Sequence, residues 1–233
     1  MDNREPSMLV QRRTLAYTAL PTYEEFLHHH SSLSTQLRQR ASEVRLTSDD
    51  QSELSTYPDF IHFVALISDE TPDSWILLPI WARIAQVSPR FSLRVATEQN
   101  DLQPLAQLLG EDDIIHWLEE QELPLLLILD EELNLQAPWG PHPLNLDPLL
   151  DRWLSDHPQY EALTESNDPV DIAAYIVLAN QLASEMRVWY NDSLNHACVL
   201  ELRTLLTSLI DENSASDEDD SAAEISDEEE DLQ

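Results

Sequence analysis

Two hydroxyl side chains, Thr71 and Ser74, stand among three carboxylates in one short turn of this sequence. The turn, residues 68–74, follows the apolar run 60–67 and precedes the amphipathic stretch 75–87. Such hydroxyls become nucleophiles when a base takes their proton, but no histidine or lysine is placed nearby. The neighbouring carboxylates would also oppose an alkoxide. Nucleophilic catalysis by this pair is therefore disfavoured.

The same residue types suit the N-terminus of a helix. Thr71 offers a hydroxyl for the N-cap, and Pro72 occupies the first helical position. Asp73 brings negative charge to the positive end of the helix dipole. We therefore predict that the Thr71 side chain caps a helix that begins in this turn.

Metal binding is a further chemistry that acids and histidines can support. Four acids lie in or near the turn: Asp69, Glu70, Asp73 and Glu98. Their spacing matches no calcium-loop template, so a solvated acidic turn is favoured over a cation site. The consecutive histidines 28–30 would point about 100° apart on a helix and cannot converge on one ion. We expect neither a metal nor a cofactor.

Composition excludes several classes of function. The 233 residues include only two glycines, Gly110 and Gly140, which excludes glycine-rich phosphate loops and dinucleotide-binding fingerprints. All 12 basic residues are arginines, so lysine Schiff-base chemistry is excluded as well. The single cysteine, Cys198, can form no intramolecular disulfide, which favours a reducing, cytoplasmic location. Its apolar neighbours indicate a small buried side chain, with a redox role as the alternative.

The net charge is −33, and 12 of the 45 acids stand in the last segment of the chain, 211–233. Few residues of this segment are apolar, so we predict a disordered acidic tail. A field of this sign repels nucleic acids and anionic membranes, and no apolar run is long enough to span a bilayer. The expected partner is therefore a protein or peptide, in particular a basic one.

Hydrophobic periodicity predicts alternating strands and helices, which are typical of an α/β fold. Strands are predicted at 60–67, 91–97, 125–129 and 135–139, the last two antiparallel. Helices are predicted at 22–45, 48–56, 72–87, 100–109, 147–155, 169–190 and 194–210. The chain then divides into a flexible arm (1–19), an α/β domain (20–158), a C-terminal helical extension (159–210) and the acidic tail.

Several local strings, in their order, resemble the thioredoxin-like superfamily. More narrowly, they resemble a bacterial thioredoxin family with an N-terminal helix and a C-terminal helical pair. The strings are Phe63–Ser74 leading to Leu78–Ala85, Leu123–Pro124 before Leu125–Asp130, Trp139–Pro143, and Met186–Tyr190. They span roughly residues 20–208. The resemblance implies a three-layer α/β/α fold with a central mixed sheet.

The resemblance also implies where a site would lie. The family's reactive turn reads Trp-Cys-Gly-Asp, and counting back from Pro79 places residues 70–73 on it. Thr71 then replaces the nucleophile, and Ser74 stands where ordinary thioredoxins keep their resolving cysteine. Leu123–Pro124 corresponds to the family's cis-proline, which presents its backbone to a bound peptide.

A hydroxyl cannot replace the low-pKa thiolate that attacks disulfides. The leading hypothesis is therefore a redox-inactive thioredoxin-like protein that binds a protein or peptide instead of acting as an enzyme. The predicted peptide-binding residues are Glu70, Thr71, Asp73, Leu123, Pro124 and Trp139, although a structural corner is favoured for Trp139. Two alternatives stay open: a thiol oxidoreductase that works through Cys198, and a protein whose acidic tail binds a basic partner.

Overall fold

The computed structural model describes residues 8–68, 71–110, 114–164 and 166–210, so Asp69, Glu70 and the predicted tail lie outside the described residues. Its centre is a sheet with the strand order β2–β1–β3–β4. The strands are β1 (Ile61–Ile67), β2 (Phe91–Thr97), β3 (Leu125–Leu129) and β4 (Leu135–Trp139). β1 and β2 run parallel, whereas β1–β3 and β3–β4 are antiparallel. The sheet is therefore mixed.

Helices cover this sheet. They are α1 (Met8–Ala19), α2 (Tyr23–His29), α3 (Ser31–Glu43), α4 (Ser48–Ser55), α5 (Pro72–Ala85), α6 (Glu98–Leu109), α7 (Ile114–Glu119), α8 (Asp147–Asp156), α9 (Gln159–Thr164), α10 (Pro169–Trp189) and α11 (195–210). A 3₁₀ turn, Leu144–Leu146, precedes α8. A π-helical turn, Tyr190–Leu194, joins α10 directly to α11.

Strand β1 separates two hydrophobic layers because its side chains alternate between the two faces of the sheet. Phe63, Ala65 and Ile67 pack in the layer that contains α5 and α11. Val64 and Leu66 pack in the opposite layer, with α1, α6 and α7. Burial on both faces explains the almost continuous apolar sequence of this strand. The fold is thus the thioredoxin-like α/β/α arrangement with helical extensions that the resemblance implies.

The prediction of a flexible arm is wrong for residues 8–19, which form α1. Ala16 and Tyr17 are the buried residues of α1, and they pack in the layer shared with α6. The Tyr17 hydroxyl also shares a 2.6 Å hydrogen bond with the hydroxyl of Ser92 on β2. Only two of the twelve residues are buried, so the sequence of α1 carries almost no periodic apolar signal.

The helix predicted over 22–45 is in fact two helices. Between α2 and α3, His30 leaves the helical conformation with φ −107° and ψ 56°. Its ring Nδ1 lies 3.0 Å from the carbonyl oxygen of Phe26, so the side chain contacts the end of α2. Thr22 caps α2 as its position suggests, in a reciprocal capping box with Glu25.

Helices α7 and α9 are absent from the sequence-based prediction. Each has six residues, which is too short for a periodic pattern to be recognised. The two helices predicted at the C-terminal end, 169–190 and 194–210, are not separated by a loop. Because the π-helical turn joins them, α10 and α11 form one continuous helical path without a loop.

Candidate functional site

The candidate site lies at the end of the sheet where β1 leads into the turn before α5. Continuing the antiparallel register of β1 and β3 places Pro124 beside Ile67 and Leu123 beside Ser68. The Leu123–Pro124 peptide bond is cis. Pro124 is buried and Leu123 is half-buried. The proline that the resemblance singles out therefore borders the turn that holds Thr71.

A second backbone segment packs against this proline from the end of β4. Gly140 has φ +147°, and a Cβ atom built on it would lie only 2.4 Å from the carbonyl oxygen of Pro124. Both the positive φ and the close approach of two backbones require glycine. The Gly140–Pro141 peptide bond is cis as well. The backbones of this corner and of Pro124 are therefore in close contact beside the turn.

The hydroxyls of Thr71 and Ser74 bond to each other at a distance of 2.6 Å between the two Oγ atoms. Ser74 is fully buried, and its Oγ also accepts a hydrogen bond of 3.1 Å from the backbone N–H of Ser68. Thr71 occupies the N-cap position, but its side chain bonds to no N–H of α5, so the predicted side-chain cap is wrong. The buried Ser74 hydroxyl needs a partner, and Thr71 supplies it.

Asp73 lies half-buried in the first turn of α5, which corrects the prediction of a solvated acid at this position. Burial raises the pKa of its carboxyl to about 6. The nearby charge of His142 and a 3.3 Å hydrogen bond donated by the Tyr190 hydroxyl act in the opposite direction. His142 also contacts Asp147, with 2.8 Å between Nε2 and Oδ1.

The C-terminal helices pack against residues of the site. The Trp139 ring is 8% exposed, packs edge-on against Trp81 at 6.0 Å between ring centroids, and donates from Nε1 to Glu201 at 3.1 Å. Trp139 is thus a core residue and leaves little surface for a peptide.

Cys198 is fully buried, and burial, followed by the charge of Glu201, raises the pKa of its thiol. Such a thiol is a poor nucleophile.

A groove of about 230 Å³ opens beside Thr71, between α3, α5 and α10. Its apolar lining consists of Leu33, Leu37, Pro72, Trp75, Ile76, Ala179 and Ala183, and its polar lining of Thr71, Gln36, Arg40 and Asn180. No acid of the described part of the chain lines it. Of the predicted peptide-binding residues that the structure describes, Thr71 borders this groove, whereas Asp73, Leu123, Pro124 and Trp139 are not among its lining residues; Glu70 lies outside the described residues.

Arg40 reaches the groove because of a proline in the facing helix. Pro79 inside α5 has no N–H, so the carbonyl of Trp75, four residues earlier, lacks its helical hydrogen bond. Arg40 Nη1 donates to that oxygen at 2.8 Å. Burial and then the positive charge of Arg187 lower the pKa of the Arg40 guanidinium. The prediction from sequence missed Arg40, although a proline within a predicted helix signals a carbonyl that needs an outside donor.

A second, much smaller cavity of about 20 Å³ lies next to the groove and shares Arg40 with it. Arg187 and Glu43 line this cavity and form an ion pair of 2.5 Å. Two residues that line it each carry a buried atom without a hydrogen-bond partner: Nε of Arg40 and Oδ1 of Asn195. The volume of this cavity corresponds to a single water.

Within residues 8–68, 71–110, 114–164 and 166–210, no three histidine, cysteine, aspartate or glutamate side chains converge as metal ligands would. None of the helices there has the length and apolar character needed to cross a lipid bilayer.

The fold is thioredoxin-like, and the turn that leads into α5 holds two hydroxyl side chains, Thr71 and Ser74, in hydrogen-bond contact. A family profile described as thioredoxin matches residues 20–154, which is more than half of the chain. The chain therefore belongs to the thioredoxin family. Among curated proteins, none matches it.

Two solved structures are similar to this chain. A protein of unknown function from Pseudomonas aeruginosa has 18% identity and a TM-score of 0.50, with 83% of this chain and 95% of that chain covered. An HIV epitope scaffold has 17% identity and a TM-score of 0.49, with 84% and 97% covered. At this identity, the likeness to the Pseudomonas aeruginosa protein supports the fold alone.

Proposed function

We propose that this thioredoxin family member does not exchange disulfides and instead binds a protein or peptide segment in the groove beside Thr71. The observation that carries the proposal is the hydroxyl pair of Thr71 and Ser74, which has the spacing of a C-x-x-C motif. An aliphatic hydroxyl stays protonated at neutral pH and cannot form the sulfur–sulfur intermediates of disulfide exchange.

The alternative of a thiol oxidoreductase through Cys198 has less support. A reactive cysteine is partly exposed and has a lowered pKa, whereas Cys198 is fully buried and its pKa is raised. Reaching it would require α11 to leave the core, since Val199 and Leu202 beside it are buried too.

Peptide binding is supported by the composition of the groove. Apolar walls provide burial for a side chain, and a small number of polar groups can orient a ligand. The net charge of −33 favours a partner whose remaining residues are basic. The acidic tail can contribute to the capture of such a partner through long-range attraction.

The loss of redox chemistry can be tested by thiol-coupled insulin reduction. We expect no activity in the parent protein and measurable activity in a variant with Thr71→Cys and Ser74→Cys together, because the C-x-x-C pair is then restored. Activity in the parent that disappears in Cys198→Ser would contradict the proposal and support the oxidoreductase alternative.

Peptide binding can be tested with a random-peptide library selected on the parent protein. Ala179→Trp fills the groove and should abolish binding of the selected peptides. Ala174→Trp, on an exposed position of the same helix, is the matched control and should leave binding unchanged. Equal binding to both variants would place the peptide outside the groove and overturn this part of the proposal.

A further inference from the structure

We infer that the groove beside Thr71 recognises a carboxylate attached to an apolar group, such as the C-terminal residue of a peptide. The inference rests on the proposed function and adds the chemistry of the recognised end. Its starting point is Arg40, the one cation among the described residues that line the groove. Arg40 lines the groove together with apolar side chains from α3, α5 and α10.

Arg40 keeps hydrogen-bond donors that the protein does not use. A guanidinium has five N–H groups. In the described residues, one of them is committed, from Nη1 to the carbonyl oxygen of Trp75, and Nε is buried without a partner. The nearest anion on the same helix, Glu43, is itself paired with Arg187 and Asn191. A further acceptor at Arg40 is therefore favourable.

The charge at the groove also favours an anion. Burial and the charge of Arg187 lower the pKa of the Arg40 guanidinium, and the charge of Glu43 offsets them only in part. The groove has no acid among its described lining residues, in a chain with 45 acids. The N-terminal end of α5, at Thr71 and Pro72, adds the positive end of a helix dipole. A carboxylate bound here would be attracted by the Arg40 guanidinium and by the helix dipole, and it would meet no acid among the described lining residues.

The other lining residues indicate which chemical group is attached to the carboxylate. Leu33, Leu37 and Trp75 provide an apolar surface, and about 230 Å³ suits one aliphatic side chain with its carboxyl group. Gln36 and Asn180 can bond to the adjoining amide. A free apolar carboxylic acid has the same chemistry, so the experiment must separate it from a peptide terminus.

The test uses three probes and calorimetry, with intrinsic tryptophan fluorescence, to which Trp75 contributes, as a second readout. The probes are an N-acetylated Arg-Ala-Ala-Leu peptide with a free carboxylate, the same peptide as a C-terminal amide, and N-acetylleucine. We expect the carboxylate peptide to bind about 10- to 100-fold more tightly than the amide, as for one charge-assisted hydrogen-bonded pair. N-acetylleucine binding as tightly as the peptide would assign the groove to small carboxylates.

Two variants locate the effect. Arg40→Gln should remove the difference between carboxylate and amide, whereas Arg38→Gln, which removes an exposed arginine paired with Glu24 on the surface, should preserve it. If Arg40→Gln does not fold, the comparison of the two peptides on the parent protein still decides the matter. Equal affinity of the two peptides, a difference that survives in Arg40→Gln, or no binding of any probe overturns the inference. The library selection described above decides the proposed function separately.

Discussion

The corner at Gly140 and the turn at Thr71 lie at the same end of the sheet, but they are held by different kinds of contact. At the corner one backbone touches another, since a Cβ on Gly140 would lie 2.4 Å from the carbonyl oxygen of Pro124. At the turn, the contacts run between the hydroxyls of Thr71 and Ser74. A backbone contact fixes the residue type, whereas side-chain contacts can be exchanged as long as each polar group finds a partner. The corner therefore restricts the residue at position 140 more strictly than the turn restricts the residues at positions 71 and 74.

The largest effect is expected from Gly140→Ala. The added Cβ combines a positive φ with a backbone overlap, and the two costs together amount to about 2–6 kcal/mol of unfolding free energy. Gly110→Ala is the matched control, because Gly110 also has a positive φ but would meet only the flexible end of Arg13, at 3.6 Å. That variant should lose about 1–2 kcal/mol. Urea unfolding followed by circular dichroism measures both, and equal losses would mean that the corner is not rigid.

The next effect concerns Asp73 and the dependence of stability on pH. The pKa of this carboxyl is about 6 in the folded protein and 3.8 for an unperturbed aspartate, so the folded protein binds more protons than the unfolded chain between these values. Its contribution to stability therefore falls as the pH rises from about 4 to 6, by about 2–3 kcal/mol, and stays low above that range.

Asp73→Asn should remove this dependence and stabilise the protein at pH 7. The comparison is made as the difference between parent and variant, because carboxyls with lowered pKa, such as Asp50, contribute with the opposite sign. Asp151→Asn, at an exposed position, should leave the curve unchanged. If the unfolding free energies of the parent and of Asp73→Asn change with pH in the same way, the Asp73 side chain is hydrated in solution.

A smaller loss is expected from Ser74→Ala. The change removes a fully buried hydroxyl that bonds to Thr71 and accepts from the N–H of Ser68, which corresponds to about 1–3 kcal/mol. Ser208→Ala removes an exposed hydroxyl with a local bond to Leu205 and should cost less than about 0.5 kcal/mol. If both variants unfold at the same urea concentration, the hydroxyl pair contributes nothing to the turn.

The sheet was predictable because its strands are short apolar runs. The runs 91–97, 125–129 and 135–139 coincide with β2, β3 and β4. The first helix could not be predicted from the sequence, because α1 buries only two residues and depends on contacts with α6 and β2. At the site, the position of Thr71 before α5 was predictable from Pro72. The bonding of its hydroxyl to Ser74 depends on burial, and the approach of Arg40 to α5 depends on how two helices cross, so neither can be read from local spacing.

The smallest effect is expected at Thr71 itself. Thr22 makes a complete capping box with Glu25, and Thr22→Ala should therefore cost about 1 kcal/mol. Thr71 occupies the same N-cap position on α5 without a side-chain bond to the helix N–H groups, and Ser74 keeps its bond from Ser68 when the Thr71 hydroxyl is removed. Thr71→Ala should then cost about half as much, because the bond to Ser74 lies at a half-buried position where water can take its place, and the second bond, to the carbonyl oxygen of Ser68 at 3.4 Å, is long. A loss at Thr71 equal to or larger than that at Thr22, measured by the same unfolding experiment, would mean that the hydroxyl caps α5 after all. The turn would then be held as firmly as the corner, and the contrast between the two regions would disappear.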